Sequence, residues 1–250
     1  MTVYIIGDLH GDGRFLEHTL FPQIEKLTES DIIITLGDVG IKYGGKSSGL
    51  KNFLLKFPCT WLIMRGNHDD RYWKDVVSKE VIDGEIRWIA AEGWSFSNCF
   101  GEITLVEDKY PNIHYVDDAG GFYNIENYNC LFLPGAYSVD KDWRLTTGRA
   151  YCFEEQLTHE EMNKFLKDSS KVDFIFSHTC PISLTPYLED LFLSIIDQNT
   201  VDKTTEQFLE RVRELYDFKH WFFGHYHEDR LIENKFTMLY RTVARLEDYV

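Results

Sequence analysis

The sequence has few cysteines, no long apolar run and little positive charge, and each of these lacks narrows the reading. The five cysteines (Cys59, Cys99, Cys130, Cys152 and Cys180) are odd in number, and no two form a Cys-x-x-Cys pair. This argues against a disulfide framework and points to reduced, mostly buried thiols. The apolar run Val3-Tyr4-Ile5-Ile6 stops at Gly7, too short for a signal peptide or a membrane span. Lysine and arginine number 26 against 41 acidic residues, a formal net charge of −15. A chain this acidic repels polyanions on average, which disfavours nucleic acid and anionic membranes as partners. The expectation is a soluble, cytoplasmic protein with no membrane association. No window has a disordered composition.

Core material, by contrast, is plentiful. Hydrophobic residues make up 44% and aromatic residues 15% of 250 residues, enough for a single domain spanning 1–250. Short apolar runs at Val3–Ile6, Ile32–Leu36, Trp61–Met64, Val172–Phe176 and Lys219–Phe223 read as buried strands. Stretches at Phe15–Leu27 and Leu50–Phe57 read as helices between the first three. This alternation predicts a parallel sheet covered by helices. From about Glu85 to Leu133 the pattern shifts to short strands, with turn signals at Asp83-Gly84 and Gly120-Gly121. Within it, Asn112–Val116, Phe122–Ile125 and Asn129–Leu133 suit a meander. Thr158-His-Glu-Glu161 fits a capping box opening a helix to about Lys167, and Thr204-Thr-Glu-Gln207 fits a cap for a helix to Tyr216. Leu184–Ile196 is apolar at helical spacing and reads as a packed helix. Strands near Arg230–Glu233 and Phe236–Arg241 suit a closing hairpin. The fold class is α/β, with one mixed sheet or two sheets face to face.

Polar residues just beyond five of these strands carry the chemistry. Asp8 and His10 follow the first, Asp38 the second, Asn67 and His68 the third, His178 the fourth, and His225 and His227 the fifth. Ligands of open α/β sheets bind outside the carboxyl ends of the strands, so these distant positions can converge. In Asp8-x-His10 and His225-x-His227, alternate residues of an extended segment can point the same way. Glycines 7, 11, 37, 66 and 224 let the backbone turn sharply and approach a ligand. Each cluster alone is commonplace; five of them in this order, at strand ends, are a strong signal. Nitrogen and oxygen donors without sulfur suit Mn, Fe or Zn rather than Ca.

Gly7-Asp8-x-His10, Gly37-Asp38, Gly66-Asn67-His68-Asp69, His178 and Gly224-His225-x-His227 together resemble the calcineurin-like metallophosphoesterases, over nearly the whole chain. The resemblance implies a four-layer α/β/β/α sandwich with mixed sheets. It also implies two divalent transition metal ions (Mn, Fe or Zn). One would be held by Asp8, His10 and His227, the other by Asn67, His178 and His225, with Asp38 bridging. His68 would stand beside them as the general acid. Two such ions, about 3.5–4 Å apart, clamp phosphate oxygens and make a bridging hydroxide available near neutral pH. Counting Asp8 and Asp38, the centre keeps a charge of roughly +2, which attracts a phosphate dianion. The implied reaction is hydrolysis of small phosphomonoesters or phosphodiesters, with nucleotides and phosphoproteins among the candidate substrates. The alternatives are dinucleoside polyphosphate hydrolysis and a non-enzymatic scaffold on the same fold. Retention of all seven ligands and His68 favours an enzyme.

The pattern departs from one branch of that family after Asp38. The phosphoprotein phosphatases read Gly-Asp-x-Val-Asp-Arg-Gly, whereas Gly37-Asp38-Val39-Gly40-Ile41-Lys42 lacks both the Arg that would grip phosphate and the Asp that would support the acid histidine. Replacement phosphate contacts are sought among Arg14, Lys42, Lys46, Arg71 and Arg144. Arg144 is preferred for substrate binding, because its loop follows an apolar strand between the third and fourth clusters. His18, His114, His159 and His220 read as structural or surface residues. No residue pattern specifies an oligomeric state.

Overall fold

The computed structural model describes residues 1–16, 21–167, 171–188, 190–191, 197 and 199–250. Two main sheets are formed. The strands of the first lie in the order Val243–Arg245, Val3–Ile6, Ile32–Thr35, Thr60–Ile63, Ile113–Tyr115, Glu102–Glu107 and Trp94–Cys99. Those of the second lie in the order Gly121–Ile125, Tyr128–Leu133, Phe174–Ser177, His220–Phe223, Phe236–Met238 and Arg230–Ile232. Val3–Ile6, Ile32–Thr35 and Thr60–Ile63 are parallel neighbours. So are Phe174–Ser177 and His220–Phe223. Their carboxyl ends therefore share one edge within each sheet, as the clusters of polar residues require.

Side-chain alternation builds three apolar layers. Val3, Ile5, Ile32, Ile34 and Leu62 of the first sheet pack with Phe132, Phe174, Phe176 and Phe222 of the second. On the outer face of the first sheet, Ile6, Ile33, Trp61 and Ile63 pack with Leu50 and Leu54 of the Leu50–Leu54 helix and with Ile24. On the outer face of the second, Leu131, Ile175, Trp221 and Phe223 meet Met162 and Phe165 of the His159–Phe165 helix. Phe208, Leu209 and Val212 of the Thr204–Leu215 helix join the same layer. The layers are thus α/β/β/α. Phe132, Phe176 and Phe222 are register partners on three adjacent parallel strands, with ring centroids 4.9 and 5.6 Å apart. Burying each ring stabilises the fold by about 1.5–3 kcal/mol, and each ring pair adds about 0.5–1.5. This stack fixes the strands that lead into His178 and Gly224.

Several elements differ from the sequence reading. Of the range Phe15–Leu27 expected to be helical, the described residues form 3₁₀ turns at Arg14–Leu16 and Ile24–Lys26; Pro22 disfavours helical geometry at Phe21. Residues 17–20, with His18, lie outside the described residues. Over Leu184–Ile196 the described part is a 3₁₀ helix, Ile182–Leu188, containing Pro186; residues 189 and 192–196 are not described. The expected meander is split, because Ile113–Tyr115 pairs parallel to Thr60–Ile63 while Gly121–Leu133 forms a hairpin in the other sheet. The Thr158–Glu161 capping box is present in both directions. The Thr204 cap is not: Lys203 precedes the helix without a side-chain cap, and the Asp202 carboxylate accepts from Thr204 N instead. The closing hairpin forms as expected, and Val243–Arg245 adds an unforeseen strand beside Val3–Ile6. Among the described residues, no helix is long and apolar enough to cross a membrane.

Candidate metal centre

Each candidate residue sits in a loop that its strand launches toward the shared edge. The loops interlock through backbone. Leu9 N and His10 N both donate to the Asp38 carbonyl, at 3.1 and 2.8 Å, and Gly224 N donates to the His178 carbonyl at 2.9 Å. His10, Asp38, His225 and His227 all have positive φ, at 49, 49, 73 and 55°. Left-handed backbone costs a non-glycine residue about 1–2 kcal/mol. Four such residues in one cluster mark a site where geometry is held against local preference. Two glycines keep the centre open. A Cβ on Gly66 would overlap Asp38 Oδ1 and come within 2.7 Å of His178 Nε2, and a Cβ on Gly224 would overlap Asp8 Oδ1.

The side chains converge in two groups. In one, His10 Nε2 and His227 Nε2 are 2.8 Å apart, and Asp8 Oδ2 lies 3.8 and 3.2 Å from them. Asp8 Oδ1 accepts from His225 N at 3.2 Å, whereas Oδ2 is buried without any hydrogen-bond partner. In the other, Asn67 Oδ1 lies 2.8 Å from His178 Nε2 and 3.0 Å from His225 Nδ1. Asp38 Oδ1 is 3.3 Å from His178 Nε2. His178 Nδ1 donates to the Leu36 carbonyl at 2.7 Å, which turns Nε2 toward these oxygens. Asn67 Nδ2 donates to Ser138 Oγ at 2.8 Å, which turns Oδ1 toward the histidines. Donor atoms of Asp8, His10 and His227 all fall within 4.8 Å of one another, as do those of Asp8, Asp38 and His178, and those of His10, Asp38 and His68.

In the metal-free protein these close pairs share protons, and a metal ion among the same donors would displace those protons. A buried oxygen with no hydrogen-bond donor, beside imidazole nitrogens that also face each other, makes a group that could hold a metal ion. The protein's own charges respond in the same sense. Burial opposes ionisation of Asp38, but the His178 imidazole beside it holds its carboxyl well below the usual range. Burial likewise opposes charging of His178, yet Asp38, Asp8 and the Leu36 carbonyl raise it to about 9. For His225, burial and the neighbouring His178 push the pKa well down, leaving a neutral ring.

Supporting residues surround the centre, and sequence reasoning missed them. Asp69 is fully buried and accepts from Val39 N, Gly40 N, Gly66 N and the Tyr72 hydroxyl. It ties the Asp38 loop to the Asn67 loop. Its adjacency to His68 was visible, but its partners were not. Tyr240 stacks on His227 and Tyr43 on His68, with centroids 4.8 and 5.1 Å apart. The proposed phosphate contacts fare differently. Arg71 is withdrawn: it pairs with Glu161 of the capping box at 2.7 Å and donates to the carbonyls of Glu154 and Gln156. Lys42 pairs with Asp75 and Arg14 with Asp12, while Lys46 is exposed. Arg144 does reach the neighbourhood of His68, but its guanidinium pairs with Asp140 at 2.6 Å. His114 contacts Thr104 and His220 contacts Thr237, both structural. A cavity of about 590 Å³ beside Trp73, Trp88, Tyr151 and Phe153 is lined by none of the eight candidates. It lies beyond Glu155, which accepts from Ser138.

Behind the centre, Thr179 Oγ1 donates to Glu206 Oε1 at 3.2 Å and lies 2.9 Å from the Tyr226 hydroxyl. Glu206 Oε2 has no partner, and burial pushes this carboxyl up to about 7 despite the Thr179 bond. A carboxyl held protonated by the fold stabilises it below the unfolded value near 4.5. That contribution is lost as pH rises through about 7. Glu206→Gln should therefore match the wild type near pH 4 and gain on it up to pH 8, by about 3 kcal/mol. Urea unfolding at the two pH values checks this; a pH-independent difference would contradict it.

The sequence profile of the family described as calcineurin-like phosphoesterase matches residues 1–229. No curated protein sequence matches the chain. One similar solved structure is a phosphopantetheinyl hydrolase from Mycobacterium tuberculosis, 14% identical, with a TM-score of 0.40 over 96% of this chain and 90% of that chain. With the family profile running through every one of the strand-end clusters, the chain belongs to the calcineurin-like phosphoesterases, a metal-dependent family of phosphoester hydrolases.

Proposed function

We propose that the protein hydrolyses small phosphomonoesters or phosphodiesters at a dinuclear metal centre within a single domain. The observation that carries this reading is the partnerless Asp8 Oδ2, facing two imidazole nitrogens 2.8 Å apart. Asp8, His10 and His227 would hold one ion, Asn67, His178 and His225 the other, and Asp38 would bridge. Ions bound there supply Lewis acidity toward phosphate oxygens and lower the pKa of water. Mn, Fe or Zn suits the donors, none of which is sulfur. The protein's own part is to hold the donors at fixed geometry through Leu36, Ser138 and Asp69, and to deliver a proton. His68 N donates to Asp38 Oδ1 at 2.6 Å, which pins the His68 loop beside the centre. Burial keeps the His68 pKa below its ordinary value, even with Asp38 opposing. In its imidazolium form the ring can protonate a departing alkoxide.

Metal-free protein should not turn over p-nitrophenyl phosphate or bis-p-nitrophenyl phosphate, and Mn(II) should restore turnover of at least one. Which of the two responds separates monoesterase from diesterase preference. Metal-loaded protein inert toward both, and toward mononucleotides and dinucleoside polyphosphates, would favour a binding scaffold instead.

A further inference from the structure

We infer that Asp140, anchored by Arg144, is the positioning residue for His68. It stands where the chain has no carboxylate after Asp38, and the inference rests on the general-acid reading of His68. Asp140 comes from a distant segment, just beyond the loop after the Tyr128–Leu133 strand, immediately before the Lys141–Thr146 helix.

Three observations meet on this carboxylate. Its Oδ1 is buried and has no hydrogen-bond partner, and it faces His68 Nε2 at 4.0 Å. Its Oδ2 is gripped by Arg144 Nε at 2.6 Å, one helical turn on, which sets the plane of the carboxylate. Tyr43 lies flat against the His68 ring, at 14° between planes, and the Arg144 guanidinium lies over Tyr43 at 5.4 Å. The imidazole is thus held by a ring on its face and a carboxylate at its edge, and both holders depend on Arg144. The long side chain of Arg144 is also steadied by the Ala150 carbonyl at 3.4 Å.

The chemical consequence follows from the two imidazole nitrogens. Small closure of the 4.0 Å gap lets Nε2–H donate to Asp140 Oδ1. The imidazolium then keeps its Nε2 proton on Asp140 and has the Nδ1 proton to give. In the transfer, the P–O bond to the leaving group and the Nδ1–H bond break, an O–H bond forms on the leaving oxygen, and a neutral imidazole remains hydrogen-bonded to Asp140. Arg144 thereby acts through Asp140 rather than on substrate phosphate.

The test compares a substrate that needs a proton with one that does not, using Mn-loaded protein. With glycerol 2-phosphate, Asp140→Asn should lower kcat by about 10–100-fold, as expected for a residue that orients another. With p-nitrophenyl phosphate the loss should stay within about threefold, with KM and bound metal unchanged, because that leaving group departs unprotonated. Arg144→Ala should repeat the same split more weakly. Equal losses on both substrates, no loss on either, or reduced metal content would overturn the inference. His68→Asn run alongside separates the two levels. If His68→Asn shows the split and Asp140→Asn does not, Asp140 has no such role. If His68→Asn shows no split, the acid assignment itself fails and takes the inference with it.

Discussion

Asp38→Asn is expected to lose divalent metal and phosphoesterase activity together, while the fold persists. Asn keeps the shape of the side chain and an Oδ1 able to accept from His68 N, the bond that pins the neighbouring loop. What disappears is the negative charge beside His178 Nε2, 3.3 Å away, at full burial. The donors are then one carboxylate, two amide oxygens and four imidazoles, too little charge to hold two dications close together. Activation of water and phosphate by the ions is worth several kcal/mol, so turnover should fall by at least about 10³-fold. Loss of Asp38 also removes the chief support for a charged His178 in metal-free protein. Metal analysis of the purified variant, beside its rate on p-nitrophenyl phosphate, reads both effects. A fully active Asp38→Asn protein would sink the dinuclear reading.

Replacing His68 by Asn should slow hydrolysis of alkyl phosphates by roughly 10²–10⁴-fold without changing metal content. The expectation rests on position. A ring nitrogen of His68 lies within 4.8 Å of donor atoms on Asp38 and His10, yet neither of the two proposed three-residue ligand groups includes it. The same variant should act more gently on p-nitrophenyl phosphate, whose leaving group needs no proton. Single-turnover rates on the two substrates decide the matter. A drop in bound metal would instead make His68 a ligand.

The strand-end clusters were legible because a buried parallel strand writes itself as a short apolar run, and the chain must turn immediately after it. That rule set the eight candidates at strand ends; their division into ligand sets and an acid came from the family resemblance. Asp69 and Asp140 were not legible as supports, since their partners are backbone amides and side chains brought near only by folding. The Asp140–Arg144 spacing is visible as an i,i+4 pair, but nothing local says that His68 lies on the other side. The hairpin Val77–Ile82 with Glu85–Ala90 gave only its Asp83-Gly84 turn, because its residues are largely exposed on both faces and show no clean alternation. Phe21–Leu27 misled for the opposite reason: helical spacing was present, but Pro22 disfavours helix at Phe21 and the described residues make only a 3₁₀ turn.

The proposed function stands or falls with a two-ion centre on which hydrolysis depends. Equilibrium dialysis of chelated protein against Mn(II), with p-nitrophenyl phosphate turnover measured at each loading, tests it most directly. The wild type should bind two ions per chain, with turnover rising as the sites fill, and Asp38→Asn should show neither. Turnover in fully chelated protein, or two ions bound equally well by Asp38→Asn, would contradict it.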